Sequence, residues 1–212
     1  MTLYFTSDWH IGHKNIRRLA NRPFDDDFIM HETLIRNYQE IITDDDVIYF
    51  LGDIAWNYQS LPALLQRLPG MKHLIVGNHD KCFKEMHSPI STSGKPINTN
   101  KYRDYYLRAG FESVNTTGSA ILIGKHHVLL NHFPYRIEPK PTDYDDRYWD
   151  KRLPFSDAWL IHGHIHNKGF MKARQVNISV EMWDYKPVSE YDISRLIEQY
   201  PEGAELGSNP LL

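Results

Sequence analysis

The chain carries one cysteine, Cys82, so no internal disulfide can form and a reducing compartment is the natural fit. A single thiol also excludes a thiolate-rich structural zinc site. Neither sign of charge dominates. The 24 Lys and Arg against 27 Asp and Glu leave a net −3, which excludes a global basic field for nucleic acid. No apolar run approaches the ~20 residues of a membrane span. The start, Met1-Thr2-Leu3-Tyr4-Phe5, turns polar without a basic region or a long apolar stretch. No signal peptide is therefore expected, and a cytoplasmic location is. Internal repeats and interdomain linkers are also missing. The 212 residues suffice for one domain with a full core. That domain is expected over residues 1–200, with 201–212 as a flexible tail.

What the sequence does have is a series of short apolar, β-branched and aromatic runs that alternate with helical patterns. Leu3 to Thr6, Val47 to Leu51 and Lys72 to Val76 read as buried strands. Between the first two, Asn15 to Ala20 reads as a short helix. Asp25-Asp26-Asp27 then supplies an N-cap before Phe28, Leu34, Ile35, Tyr38, Ile41 and Ile42 at helical spacing. A Leu-rich helix between Ser60 and Pro69 precedes the third strand. This alternation predicts parallel strands in one sheet. Further on, Lys101 to Ala109 reads as a helix. Phe111–Val114, Ser119–Ile123 and His127–Leu130 read as strands, with Gly124-Lys125 as a hairpin turn. Two more strands are expected over 169–172 and 175–180, and Ser189-x-x-Asp192 reads as a capping box before a last helix. Residues 88–100 and 134–154 read as long loops, which in a compact domain are usually functional or disordered.

The histidine-rich stretch Leu160-Ile161-His162-Gly163-His164-Ile165-His166 draws attention first. On an extended backbone its imidazoles would share a face, because side chains alternate with period two. Neutral imidazole is the commonest side-chain metal ligand. The same arrangement recurs upstream. Asp8 and His10, Asp53, Asn78 and His79, and His132 each follow an apolar run. Ligands in open α/β sheets bind outside the carboxyl ends of strands. The set combines hard oxygen with imidazole nitrogen, which suits manganese, iron or zinc over calcium. It is too large for one ion and about enough for two. Two divalent cations roughly 3.5–4 Å apart neutralise a phosphate, generate a hydroxide nucleophile near neutral pH and clamp both oxygens of an in-line displacement.

In this order, Asp8-x-His10, Gly52-Asp53, Gly77-Asn78-His79-Asp80, His132 and Gly163-His164-x-His166 resemble the calcineurin-like metallophosphoesterases. The resemblance runs from about Thr2 to Val188. Ser7-Asp8-x-His10-x-Gly12-His13-x-Asn15 followed by Asn21-Arg22-Pro23-Phe24 is similar to small bacterial and phage members without a cap domain. The resemblance implies an α/β fold, a two-sheet β-sandwich flanked by helices. It implies that Asp8, His10 and His166 hold one metal, that Asn78, His132 and His164 hold the other, and that Asp53 bridges them. His79 would be the catalytic histidine beside the leaving group. Many relatives place an Asp three residues after the bridging Asp to orient that histidine; here the position is Trp56. Asp80 is the alternative orienting group, as is a backbone carbonyl.

The expected activity is hydrolysis of phosphate esters with two divalent ions, manganese first, then iron, zinc or nickel. A phosphodiester, nucleotide or nucleic-acid end is favoured over a monoester. A non-catalytic metal-binding module on the same fold is the alternative. His13, Arg17, Tyr135 and Arg136 are candidate substrate contacts, and His162 a hydrogen-bonded support. The helix bearing Tyr102, Arg103, Tyr105, Tyr106 and Arg108 either stacks on a base or packs with its charged ends in water.

Overall fold

The computed structural model describes residues 1–83, 100–136 and 148–212. The two long loops expected at 88–100 and 134–154 fall largely outside these. Strands β1 (Leu3–Thr6), β2 (Val47–Phe50), β3 (Met71–Ile75) and β4 (Ser113–Asn115) lie side by side and parallel, as the alternation with helices predicts. At the outer edge β10 (Val188–Ser189) pairs antiparallel with β1. A second, six-stranded sheet has the order β11 (Ala204–Leu206), β8 (Met171–Ala173), β9 (Gln175–Asn177), β7 (Trp159–His162), β6 (His126–Leu130), β5 (Ser119–Ile123). Gly124, at φ 57°, makes the expected tight turn between β5 and β6.

Period-two alternation in the first sheet builds two cores. Ile48, Phe50, Leu74 and Val76 face the helices α1 (Ile16–Leu19), α2 (Asp27–Gln39), α3 (Leu61–Leu65) and α4 (Lys101–Ala109). Phe5, Leu51 and Ile75 face the other way, against Val128, Leu130, Ile161 and Val176 of the second sheet. The fold is thus a two-sheet sandwich with flanking helices. In α2 the Asp26 side chain caps the first turn by accepting from Ile29 N at 2.7 Å. Its buried face is Met30, Leu34, Ile35 and Tyr38, whereas Phe28, counted on that face by spacing, is exposed. The last helix, α5 (Glu190–Gln199), opens on the expected Ser189–Asp192 capping box.

The segment after Pro201, expected to trail from the domain, instead contributes β11, which pairs antiparallel with β8. Leu206 and Leu211 pack on the inter-sheet core, and this apolar contact holds the segment in place. Among the described residues no helix is long and apolar enough to cross a membrane.

Candidate metal centre

The carboxyl ends of β1, β2, β3, β6 and β7 meet at one edge of the sandwich and deliver the candidate ligands there. Backbone hydrogen bonds lock the turns together: Asp8 N donates to Gly52 O at 3.1 Å, His10 N to Asp53 O at 2.9 Å, and Gly163 N to His132 O at 3.0 Å. The approach is close enough to dictate glycine. A Cβ at Gly52, whose φ is +89°, would overlap the backbone of Gly77, and one at Gly163 would overlap Ser7 Oγ and Asp8 Oδ2.

Two sets of donor atoms, each mutually within 4.8 Å, emerge: Asp8, His10 and His166, and Asp8, Asp53 and His132. Asp53 Oδ2 lies 3.6 Å from His10 Nε2 and 3.5 Å from His132 Nε2. Asn78 Oδ1 is 3.1 Å from His132 Nε2. The His164 ring centroid is 5.2 Å from that of His132. The sequence-predicted ligands are therefore brought together at one site.

How they get there differs from the expectation. His164 and His166 do not share a strand face, because β7 ends at His162 and both lie in the left-handed region at φ 72° and 51°. Asp8, His10 and Asp53 do the same, at 60°, 54° and 55°. Non-glycine residues rarely adopt this conformation, and it concentrates at functional sites. His162 consequently points away from the site. Its Nδ1 bonds Gly163 O at 2.8 Å, and its ring lines a separate cavity of about 440 Å³.

The electrostatics call for positive charge. Asp8 Oδ1 and both ring nitrogens of His10 are buried without a hydrogen-bond partner among the described residues. Burial and the nearby carboxylates of Asp80 and Asp8 push the Asp53 pKa well above the usual range. Burial also opposes ionisation of Asp8, but the imidazoles of His166, His132 and His10 outweigh it and hold its pKa low. Burial lowers the pKa of His10, His132 and His164, so their nitrogens are neutral and available. Uncompensated buried charge is costly, and a cation coordinated at these atoms removes the cost. The residues present fit a divalent metal.

Sequence reasoning missed the group that holds His166. Glu181 Oε1 lies 2.9 Å from His166 Nδ1 and 2.8 Å from Arg22 Nη2. Arg22 also donates to the backbone oxygens of Asp8 and Trp9, at 2.5 and 2.9 Å. Burial works against a charged His166, yet the Glu181 hydrogen bond and Asp8 overcome it and raise its pKa. The sole signal for Glu181 was an acid inside the apolar run Ile178 to Met182.

Several expected contacts go elsewhere. Asp80 does not orient His79: its buried carboxylate accepts from Gly77 N at 2.7 Å and Asp53 N at 3.0 Å, tying two turns together. Arg17 pairs with Asp27 at 2.7 Å and with loop carbonyls. Tyr135 is buried, with its hydroxyl on Ser156 and Ala158. Arg136 is anchored through its backbone N–H on Leu153 O, and its guanidinium stays a candidate contact. His13 does border the cleft, its ring 5.6 Å from that of His10. His79 stands at the mouth, its Nε2 4.0 Å from Asp53 Oδ2, against the ring of Trp56.

A carboxylate hydrogen-bonded to a metal-ligating histidine fixes its tautomer and ring plane. Glu181→Gln is expected to weaken divalent-metal affinity by roughly 10- to 100-fold, the usual loss for such partners. Calorimetric Mn²⁺ titration of the variant and the native protein measures it.

The model of the calcineurin-like phosphoesterases matches residues 1–188. The chain is 31% identical over 207 residues to an uncharacterised protein of Methanocaldococcus jannaschii, covering 93% of this chain and 92% of that one. It is 30% identical over 218 residues to the gene 66 protein of Mycobacterium phage L5, covering 94% and 95%. The crystal structure of a protein of unknown function from Aquifex aeolicus superimposes with a TM-score of 0.63 at 27% identity, covering 92% of this chain and 99% of that one. With the sandwich fold, the assembled donor sets and a match over nearly the whole chain, this protein belongs to the calcineurin-like phosphoesterase family.

Proposed function

We propose that the protein hydrolyses phosphate esters with two divalent cations, manganese by preference, and that phosphodiesters or nucleotide-type esters are favoured over simple monoesters. The observation that carries this reading is the place of Asp53 Oδ2, within 3.6 Å of His10 Nε2 on one side and 3.5 Å of His132 Nε2 on the other. Asp8, His10 and His166 would hold one cation, Asn78, His132 and His164 the second, and Asp53 would lie between them. When bound, the pair supplies charge neutralisation for the phosphate and activation of a water near neutral pH.

The chain's own residues do the rest. Asp53 is fixed from behind, its Oδ1 accepting from His79 N at 2.8 Å, so Oδ2 is left to face the cations. Asn78 and His79 are neighbours on one turn and diverge, Asn78 inward and His79 to the open side, where its side chain is 37% exposed. Burial, with the rings of His132 and His13 nearby, lowers the His79 pKa to about 4. The negative charge of a bound phosphate ester favours the protonated ring, which can then give its proton to the leaving oxygen.

Hydrolysis of chromogenic phosphate mono- and diesters with Mn²⁺, on protein of measured metal content, tests the whole reading. Absence of turnover with any divalent ion would leave a metal-binding module instead. Within that assay, Asp53→Ala should lose both cations and nearly all activity, whereas Asp8→Ala or His132→Ala should mainly weaken one. Two metals retained in the Asp53 variant, by elemental analysis, would remove it from the bridge.

His79→Asn should keep its metals and lose roughly 10²–10⁴-fold in kcat, the range for a general acid. The loss should be greatest for alkyl esters with poor leaving groups and small for nitrophenyl esters, which depart without a proton. An equal loss on both would assign His79 to charge stabilisation at phosphorus.

The pH dependence follows from the imidazoles. Ligation needs the neutral ring, so protons compete with metal. His10, His132 and His164 have depressed pKa values and surrender their protons first, whereas the raised pKa of His166 keeps its proton to higher pH. Metal affinity should therefore fall, as pH drops, through the His166 range first. The acid-side loss of activity should be partly rescued by excess Mn²⁺. A loss indifferent to metal concentration would locate the titration in a catalytic group.

A further inference from the structure

Trp56 has no role in the reading above, and its setting sets it apart. The other four tryptophans are buried, at 9% exposure or less, while Trp56 is 53% exposed. It is nonetheless firmly placed. Trp56 N donates to Ile11 O at 2.9 Å, and Ala55 bridges Ile11, so the turns after β1 and β2 are paired beneath it. The His13 ring meets the indole edge-on with centroids 4.2 Å apart, and the His79 ring lies against it at 5.2 Å. His79 is in turn 4.0 Å from the Asp53 carboxylate. The indole is thus a fixed, half-open apolar plate at the rim of the cleft, linked to the Asp53 carboxylate through the His79 ring.

The surface beside it continues in kind. Tyr58 follows Trp56 by two residues and meets the rings of Tyr102 and Tyr105 at 5.2 and 5.1 Å. The ammonium of Lys81, an exposed residue, stands 5.4 Å from the Tyr102 ring and 6.0 Å from the Tyr58 ring. In a chain of net charge −3 this places a cation over half-buried tyrosine rings, two residues along the chain from the open indole. Such a pairing suits a flat, apolar group that carries negative charge. Base–aromatic stacking is sequence-tolerant because every base has a π face.

We propose that Trp56 is a specificity-determining residue that stacks on the nucleobase of the substrate's leaving group, so that the preferred substrates are phosphate esters of nucleosides. This rests on the phosphoesterase reading of the site, since it takes the phosphate to lie at Asp8 and Asp53.

Phosphonates give a test that needs no turnover, because the anion is carried on carbon and is not hydrolysed. Binding of a nucleoside 5′-phosphonate and of methylphosphonate to the Mn²⁺-loaded protein is measured by calorimetry for native, Trp56→Leu and Trp56→Phe proteins. The native protein should prefer the nucleoside phosphonate. Trp56→Leu, which keeps apolar bulk against His79 but no π face, should lose that preference by about 5- to 100-fold, the span of one stacked base. Trp56→Phe should keep most of it. Equal affinity of the two ligands for the native protein would overturn the proposal. So would a preference that survives in Trp56→Leu, or a matching loss on methylphosphonate, which would make Trp56 a mere support for His79. Failure of the phosphoesterase reading shows separately, as absence of nitrophenyl-ester hydrolysis by the native protein.

Discussion

The geometry of the cleft depends on how the carboxylate of Asp8 is divided between its two oxygens. Oδ2 accepts from His164 N, on the turn after β7, and from Ser179 Oγ, both at 2.9 Å. Oδ1 is left buried and without a hydrogen-bond partner among the described residues, facing His10 at 3.8 Å. One side chain from the first sheet thereby anchors the ligand-bearing turn of the second and keeps an oxygen for a cation. His132 acts in the opposite direction: its Nδ1 bonds Leu51 O of the first sheet at 2.7 Å, which turns Nε2 toward Asp53. Since a histidine's outer nitrogen is set by what its inner one binds, these cross-sheet bonds fix which atoms face the candidate cation site.

Holding the turns that close has an energetic consequence. Asp8, His10, Asp53, His164 and His166 all adopt left-handed backbone, at a cost on the order of 1–3 kcal/mol each. Nothing in an ordinary surface loop would sustain that. Here the turns are over-determined: Arg22 grips the carbonyls of Asp8 and Trp9, Asp80 accepts from the amides of Gly77 and Asp53, and Asn177 Nδ2 donates to His166 O at 2.6 Å. Strain of this kind shortens the path from strand to ligand. A left-handed residue reverses the chain at once, so a carboxylate and an imidazole two residues apart can converge on one point. An extended strand would instead space them along a face.

This is also where the sequence stops being legible. Strand ends could be read from it because a buried parallel strand is a short run of β-branched and aromatic residues, and the chemistry follows its last residue. Asp8, Asp53, Asn78, His132 and His164 were all located in that way. The geometry that unites them was not, because positive φ at Asp or His leaves no compositional trace of the kind glycine leaves. His162 is hydrogen-bonded as expected, to Gly163 O, but it shares no face with His164 and His166, because the extended backbone ends at His162 itself. Arg17 and Tyr135 were candidate substrate contacts by residue type alone, and tertiary partners, Asp27 and Ser156, claim them. Glu181 comes from a short 3-10 turn over Val180–Met182, distant in sequence from every motif it serves. The terminal strand β11 was read as tail because a three-residue edge strand is too short to show alternation.

Charge placement differs between the inner and outer sides of the cleft. Toward the interior, Arg22 and Glu181 form a buried pair, with side chains 0% and 3% exposed, and Glu181 passes its remaining influence to His166. A lone buried arginine behind the candidate ligands would oppose the binding of a cation. Neutralised by Glu181, it becomes a rigid clamp on the backbone instead. Toward solvent there is no carboxylate beside His79 at the position held by Trp56. A carboxylate there would hold the imidazole ring by hydrogen bonding and stabilise its charged form before any substrate arrived. An indole does neither. It restricts the ring by contact and leaves the proton affinity of His79 low, at about 4. Under the proposed acid role, the charge that raises it would come from the phosphate of a bound substrate.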